Sequence, residues 1–177
     1  MKVNIINEGV KYGSICGMLA LLVMYGSWTM GLQTFVSVQF ISTFIPYMIA
    51  ILLIAGLQIR KQNGGFLPFP EAMKFTFLSY VIAAIILAIG NYILFNLIDK
   101  DLTIKSFQVG LEKTRKMMEN MGASPEQIQK SITDAEAKKQ STGIGQILLG
   151  TGLGLIWDFV KALLISICIK KEEKFDM

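Results

Sequence analysis

A long stretch without charged side chains dominates the first third of the chain. Between Tyr12 and Ile59 there is no Asp, Glu, Lys, Arg or His. This stretch is roughly twice as long as the ~20 apolar residues that one membrane crossing requires. Gly31-Leu32-Gln33-Thr34 interrupts it near the middle, and such a break favours a turn. The stretch therefore predicts two transmembrane helices folded back on each other in an integral membrane protein.

The composition excludes several broad classes of protein. With 177 residues, 53% of them hydrophobic and 17% charged, the chain lies outside the usual soluble range and has no room for a separate soluble domain of ordinary size. The net charge is +4, and the basic residues mainly flank the apolar segments. This placement suits anionic lipid headgroups and gives no support to nucleic-acid binding.

Two further apolar segments complete the predicted fold. We expect an all-α protein in which residues 1–177 form one membrane domain, an integral membrane four-helix bundle. An extramembrane helical hairpin lies between the third and fourth spans. The predicted spans cover about 12–32, 38–59, 75–98 and 144–169, and the hairpin covers 99–142.

The polar segment 99–142 carries the signals of two amphipathic helices. Ser124-Pro125-Glu126-Gln127 predicts the start of the second one, with a serine N-cap, a proline in the first turn and a glutamine placed to return the capping bond. Apolar residues recur at helical spacing in both helices: Ile104, Phe107, Leu111, Met118 and Met121 in the first, and Ile128, Ile132 and Ala135 in the second.

The basic residues beside the spans predict the orientation. With four spans, most of them fall on one side, which the positive-inside rule assigns to the cytoplasm. Both termini are then cytoplasmic and the nearly charge-balanced hairpin is exported. The residues concerned are Lys2, Lys11, Arg60, Lys61, Lys74, Lys170, Lys171 and Lys174.

The usual parts of catalytic and metal sites are missing from the sequence. Histidine is absent, and Cys16 and Cys168 lie inside apolar segments, so a zinc site or a Cys/His nucleophile cannot be assembled in the usual way. We expect no metal, no cofactor, no catalytic residues and no enzymatic activity.

Asp158 and Lys161 are the ionisable residues well inside a predicted span. Each costs about 2.5–3.5 kcal/mol at the bilayer centre. Asp158 could face a polar seam and bind a proton or cation, with Lys161 tuning it. Residues three apart share a helix face, however, and Lys161 can extend toward the headgroups. We favour an internal structural ion pair over a functional site.

Small residues recur at a spacing of four in the first and last spans. Gly9, Gly13 and Gly17 form one series, and Gly150 and Gly154 form the other. Such spacing lets helix backbones approach closely, and we favour packing within one bundle over a homodimer seam. The glycine-rich start of the last span could alternatively be an unwound ion-binding segment.

The segment between the second and third spans carries a resemblance. Gly64 and Gly65 follow a basic helix end, and Phe69, Ala72 and Lys74 lead into the third span. With the polar hairpin and the Gly-rich last span ending in Lys-Lys, the chain resembles a family of small four-span membrane proteins of unknown function from Bacteroidetes, the DUF4199 family. The resemblance implies an inner-membrane location and supplies no activity and no catalytic residues.

Three functional hypotheses follow. The first is a non-enzymatic accessory or scaffold subunit of an envelope assembly, since the amphipathic, methionine-containing hairpin could bind a protein partner. The second is a transporter or proton-coupled channel component that uses Asp158. The third, an intramembrane hydrolase, lacks support in the sequence, because no set of serine, base and orienting residue is visible. We expect the protein to lie in a lipid bilayer, and the sequence does not decide whether it forms a homo-oligomer.

Overall fold

The chain folds as an all-α membrane helical bundle. The computed structural model describes residues 3–42, 46–137 and 144–172, and most of these are helical. The end of the predicted hairpin, 138–142, and the flanking Lys2 and Lys174 lie outside the described residues. The helices are α1 (Ile5–Thr29), α2 (Leu32–Ser42), α3 (Tyr47–Gln62), α4 (Phe69–Tyr92) with a π-helical continuation (Ile93–Ile98), α5 (Leu102–Asn120), α6 (Pro125–Ala137) and α7 (Ile144–Ile169).

Three helical stretches are long and apolar enough to cross a membrane. They are Ile5–Thr29, Phe69–Ile98 and Ile147–Ile169. The bent pair α2 and α3 passes the same test when it is counted as one broken span, which gives up to four crossings. The first of these helices begins earlier than the predicted 12–32, because Asn4 caps it: the Asn4 side chain accepts hydrogen bonds from the N–H groups of Ile6 and Asn7.

The second predicted span, 38–59, is broken into two helices and is not one continuous helix. The chain turns at Gly31, whose φ is +102°, and α2 begins immediately at Leu32. A bend of 48° separates α2 from α3, and Pro46 is the N-cap residue of α3. Because proline has no N–H to donate to the preceding turn, the span restarts there as a new helix.

Helices α1 and α4 run side by side through close contacts at small residues. A Cβ added at Gly13 would lie 2.6 Å from the Ser79 carbonyl oxygen. A Cβ at Gly9 or Gly17 would lie 3.0 Å from side-chain atoms of α4. The Ser79 hydroxyl donates to the Gly9 carbonyl at 3.1 Å. The glycine series therefore lies where α1 meets α4, as expected of close packing within one bundle.

Helices α4 and α7 are antiparallel and meet through buried hydroxyls. Thr76 Oγ1 and Ser166 Oγ lie 2.7 Å apart, and Thr76 Oγ1 also lies 3.2 Å from the Ala162 carbonyl oxygen. The rings of Phe77 and Phe159 meet edge to face with centroids 5.5 Å apart. These contacts hold the two helices together in the half of the bundle that contains the end of α7.

The two ends of the bundle differ in composition. At one end, which we call the basic end, the Val3 N–H donates to Asn63 Oδ1 at 2.9 Å, and Leu67 pairs with Lys171 in an antiparallel bridge. At the other, which we call the hairpin end, Trp28 Nε1 donates to Asp99 Oδ2 at 3.4 Å. The residues near the bridge include the cations Arg60, Lys61 and Lys170.

The hairpin of α5 and α6 has the predicted capping box. The Ser124 N–H donates to Gln127 Oε1 at 3.0 Å, and the Gln127 N–H donates to Ser124 Oγ at 3.3 Å, which confirms that prediction. The apolar stripe is only partly turned inward. Ile128 and Ile132 are buried as expected, and α5 contributes buried Val109, whereas Ile104 and Met121 are exposed.

Candidate functional site

A cleft separates α4 from α7 beyond the hydroxyl contacts. Its volume is about 720 Å³, within the range of small-molecule sites. One wall comes from α4, a second from α7, and a third from the end of α2 and the start of α3. The lining residues of α4 are Tyr80, Ala83, Ala84, Leu87, Ala88 and Asn91, and those of α7 are Ile147, Gly150, Thr151, Gly154, Asp158 and Lys161.

The two intramembrane charges lie together in this cleft. Lys161 Nζ donates to Asp158 Oδ1 at 2.9 Å, as the three-residue spacing predicts. The Asp158 side chain is 19% exposed and that of Lys161 is 43% exposed. Both line the cleft between α4 and α7, so the pair faces an open cleft between these two helices.

Tyr80 completes the polar group at this point. Lys161 Nζ lies 5.7 Å from the centroid of the Tyr80 ring, a distance at which a cation is attracted to the ring face. Tyr80 is only 3% exposed, and its hydroxyl has no hydrogen-bond partner among the described residues. The position of Tyr80 in the middle of the bundle is unlike the interfacial position usual for tyrosine in membrane helices.

Sequence reasoning missed Tyr80, Tyr47 and Asn91 as cleft residues. A signal was present in α4, because Tyr80, Ala83, Ala84, Leu87, Ala88 and Asn91 recur at steps of three and four and form one helix face with small residues between two polar ones. Tyr47 could not be found in this way, since it lies at the broken span.

Gly150 and Gly154 differ from the expectation of close helix packing. A Cβ added at either position would meet no atom within 4 Å, and both residues line the cleft. Their missing side chains widen the cleft on the α7 side. The segment is regular helix from Ile144 onward, so these residues are not in an unwound segment.

The residues that carry the family resemblance form the turn between α3 and α4. Gly64 and Gly65 have φ values of +75° and +92°, which glycine adopts without the strain of a side chain. The Gly65 N–H donates to the Arg60 carbonyl at 2.9 Å. Phe69 begins α4, and Ala72 is fully buried. This turn is at the basic end and does not line the cleft.

The described ranges, 3–42, 46–137 and 144–172, contain no cluster of three or more His, Cys, Asp or Glu side chains placed to hold a metal ion. The polar groups that line the cleft are one carboxylate, one ammonium group, hydroxyls and an amide. Chemically, this set can bind a proton, a small cation or a polar group through charge and hydrogen bonds.

Comparison with known proteins identifies a family and no activity. No curated protein and no solved structure matches the chain. The family described as protein of unknown function DUF4199 matches residues 11–171. This range includes every candidate span except the first turns of α1. The chain therefore belongs to the DUF4199 family.

Proposed function

We propose that this protein is a non-enzymatic component of a membrane transport system in which Asp158 binds a proton or a small cation. The observation that carries the proposal is the location of the Asp158–Lys161 pair in a cleft of about 720 Å³. Ionisable side chains inside a membrane are costly, and those that face a cavity commonly mark an ion or substrate pathway.

The pair can couple binding to a change in the bundle. While Asp158 is ionised, it compensates the charge of Lys161 at 2.9 Å. When Asp158 binds a proton, the charge of Lys161 is no longer compensated by a carboxylate. The Tyr80 ring then remains as a neighbour that attracts the Lys161 ammonium group. Because an unpaired charge inside the bundle is costly, a rearrangement that gives Lys161 a new partner or contact with water is then favoured.

The location and orientation that we propose follow from the charges. The cations near the Leu67–Lys171 bridge favour the cytoplasmic side for the basic end by the positive-inside rule. The membrane would be a bacterial inner membrane, with both termini in the cytoplasm and the α5–α6 hairpin outside.

Proton flux into proteoliposomes tests the transport proposal. With a potassium gradient and valinomycin as the driving force and an enclosed pH-sensitive dye as the readout, the unaltered protein should carry protons above the rate of empty liposomes. Asp158→Asn and Asp158→Asn/Lys161→Gln should both fall to that background. If the pair were only structural, the neutral double variant would keep its flux.

A matched control uses a second ion pair between residues that are three apart in a helix. Glu8 Oε2 and Lys11 Nζ lie 3.3 Å apart near the start of α1, away from the cleft. Glu8→Gln/Lys11→Gln should therefore leave the flux unchanged. Background proton flux in the unaltered protein would contradict proton transport, and full flux in Asp158→Asn would contradict the role of Asp158.

A second candidate function is that of an accessory or scaffold subunit. The hairpin favours it, because Ile104, Met117 and Met121 are 47%, 48% and 77% exposed, and flexible methionine side chains suit adaptable protein contacts. Purification in mild detergent should then recover a stoichiometric partner that is lost on Met117→Lys/Met121→Lys. Recovery of the chain without any partner would count against this candidate.

A further inference from the structure

We propose that water reaches the Asp158–Lys161 pair from the hairpin end, through a series of three cavities that meet at Asn91. This inference rests on the proposed function of Asp158, and it names the route by which a proton or cation arrives. Two observations support this route. The cavities share lining residues, and buried hydroxyls without hydrogen-bond partners among the described residues lie near both ends of the series.

The cavities share walls. The cleft at the ion pair is lined by Asn91, Ser42 and Tyr47 among others. A second cavity of about 440 Å³, between α1, α2 and α4, is lined by the same three residues and by Gln39. A third cavity of about 320 Å³ is lined by Asn91, Gln39, Phe95 and Ser106. Asn91 thus lines all three, and Ser106 belongs to α5, in the hairpin.

The hydroxyls mark the two ends of this series. Among the described residues, Tyr80 Oη and Ser106 Oγ are buried side-chain atoms without a hydrogen-bond partner. Tyr80 lines the first cavity and Ser106 lines the third. Leaving such a group unpaired costs about 1–3 kcal/mol, and buried polar groups that lack a protein partner are commonly satisfied by ordered water. Both hydroxyls therefore point to water in these cavities.

The dimensions allow a hydrated route. One water molecule occupies about 30 Å³ of liquid, so each of the three cavities has room for several. The polar side chains Asp158, Asn91, Gln39 and Ser106 follow one another from the ion pair to α5. At the opposite side of the pair, the route is closed by the packed contacts of Thr76, Ala162 and Ser166. The pair should therefore be accessible from the hairpin end and shielded from the basic end.

Cysteine accessibility tests the route. In a Cys16→Ser/Cys168→Ser background, Asn91→Cys and Gly154→Cys place thiols in the cavities. Neither substitution should disturb the fold, since Cys is smaller than Asn and the Gly154 position is open. The lipid-facing controls are Ile89→Cys on α4 and Leu153→Cys on α7, which are 56% and 65% exposed. The probe is a membrane-impermeant trimethylammonium methanethiosulfonate, added to sealed vesicles of each orientation.

The expected result is directional. Asn91→Cys and Gly154→Cys should react at least about tenfold faster than Ile89→Cys and Leu153→Cys, because the thiol must be hydrated and ionised to react, and only when the reagent is on the hairpin side. Equal rates at cavity and lipid positions, or reaction from the basic side, would overturn the inference. Reactivity without Asp158-dependent flux would contradict the proposed function alone, and flux without reactivity would contradict the route alone.

Discussion

Gly13 shows, at the scale of single residues, how a missing side chain holds two helices together. A Cβ at Gly13 would lie only 2.6 Å from the Ser79 carbonyl oxygen, which is too close for two non-bonded atoms. Gly13→Ala should destabilise the protein by about 1–3 kcal/mol, because α1 and α4 must move apart. The measurement is thermal unfolding in detergent, followed by tryptophan fluorescence.

Gly26 supplies the control for that prediction. It lies in the same helix, and a Cβ there would meet no atom within 4 Å. Gly26→Ala should leave stability unchanged or raise it by up to ~1 kcal/mol, because alanine favours the helix. Equal losses of stability in the two variants would contradict the close approach of α1 and α4.

The ion pair also has a predicted contribution to stability. Lys161→Met leaves the Asp158 carboxylate without its partner at 2.9 Å and should destabilise the bundle by about 2–3 kcal/mol. The double variant Asp158→Asn/Lys161→Met should recover most of that loss, since both charges are gone. Unfolding in mixed detergent micelles completes the double-mutant cycle, and additive losses would show that the two side chains do not interact.

The same residues show what the sequence can and cannot reveal about the site. The contact of Asp158 with Lys161 follows from their spacing within one helix, which is a local property. Gly9, Gly13 and Gly17 have the same spacing as Gly150 and Gly154, yet the first series meets a neighbouring helix and the second meets a cleft. Spacing within one helix does not say which helix lies opposite, so the cleft could not be predicted.

At the scale of elements, Lys113 adds polar contacts between α5 and the broken span. Lys113 Nζ contacts the Ser37 hydroxyl and lies 3.5 Å from the Gln33 carbonyl oxygen. Lys113→Met keeps the aliphatic part of the side chain and removes these bonds, at a cost of about 1 kcal/mol. Amide hydrogen exchange in α5 should therefore become about fivefold faster.

Lys116 is the control for this contact, since it is exposed on the same helix. Lys116→Met should leave the exchange rates of α5 unchanged. Unaltered exchange in Lys113→Met would indicate that α5 is held to α2 by apolar packing alone.

The elements also differ in how far sequence predicts them. The capping box of α6 is correct in both of its hydrogen bonds, because the four residues involved are adjacent in the chain. The second span is less predictable. Pro46 indicates a kink, but the size of the bend depends on how α2 packs against α1 and α5, and these contacts are distant in sequence.

At the scale of the whole molecule, charge predicts the orientation in the membrane. The turn after α3 lies at the basic end, and the tip of the hairpin lies at the other end. In intact cells, an impermeant thiol reagent should label Met121→Cys, at the exposed hairpin tip, and should not label Gln62→Cys, at the end of α3. The reverse pattern would place the basic residues outside, against the positive-inside rule.

The transport proposal and the water route both depend on one arrangement: α4 and α7 touch near the basic end and are separated beyond Asp158 by the cleft. Oxidative cross-linking of paired cysteines measures this most directly. In a Cys16→Ser/Cys168→Ser background, Thr76→Cys/Ser166→Cys should form a disulfide rapidly, because the native side-chain oxygens are 2.7 Å apart. Ala88→Cys/Gly150→Cys, whose positions line opposite walls of the cleft, should form little or none. Equally rapid cross-linking of both pairs would mean that α4 and α7 are in contact along their whole length, and the cleft and its functional role would be contradicted.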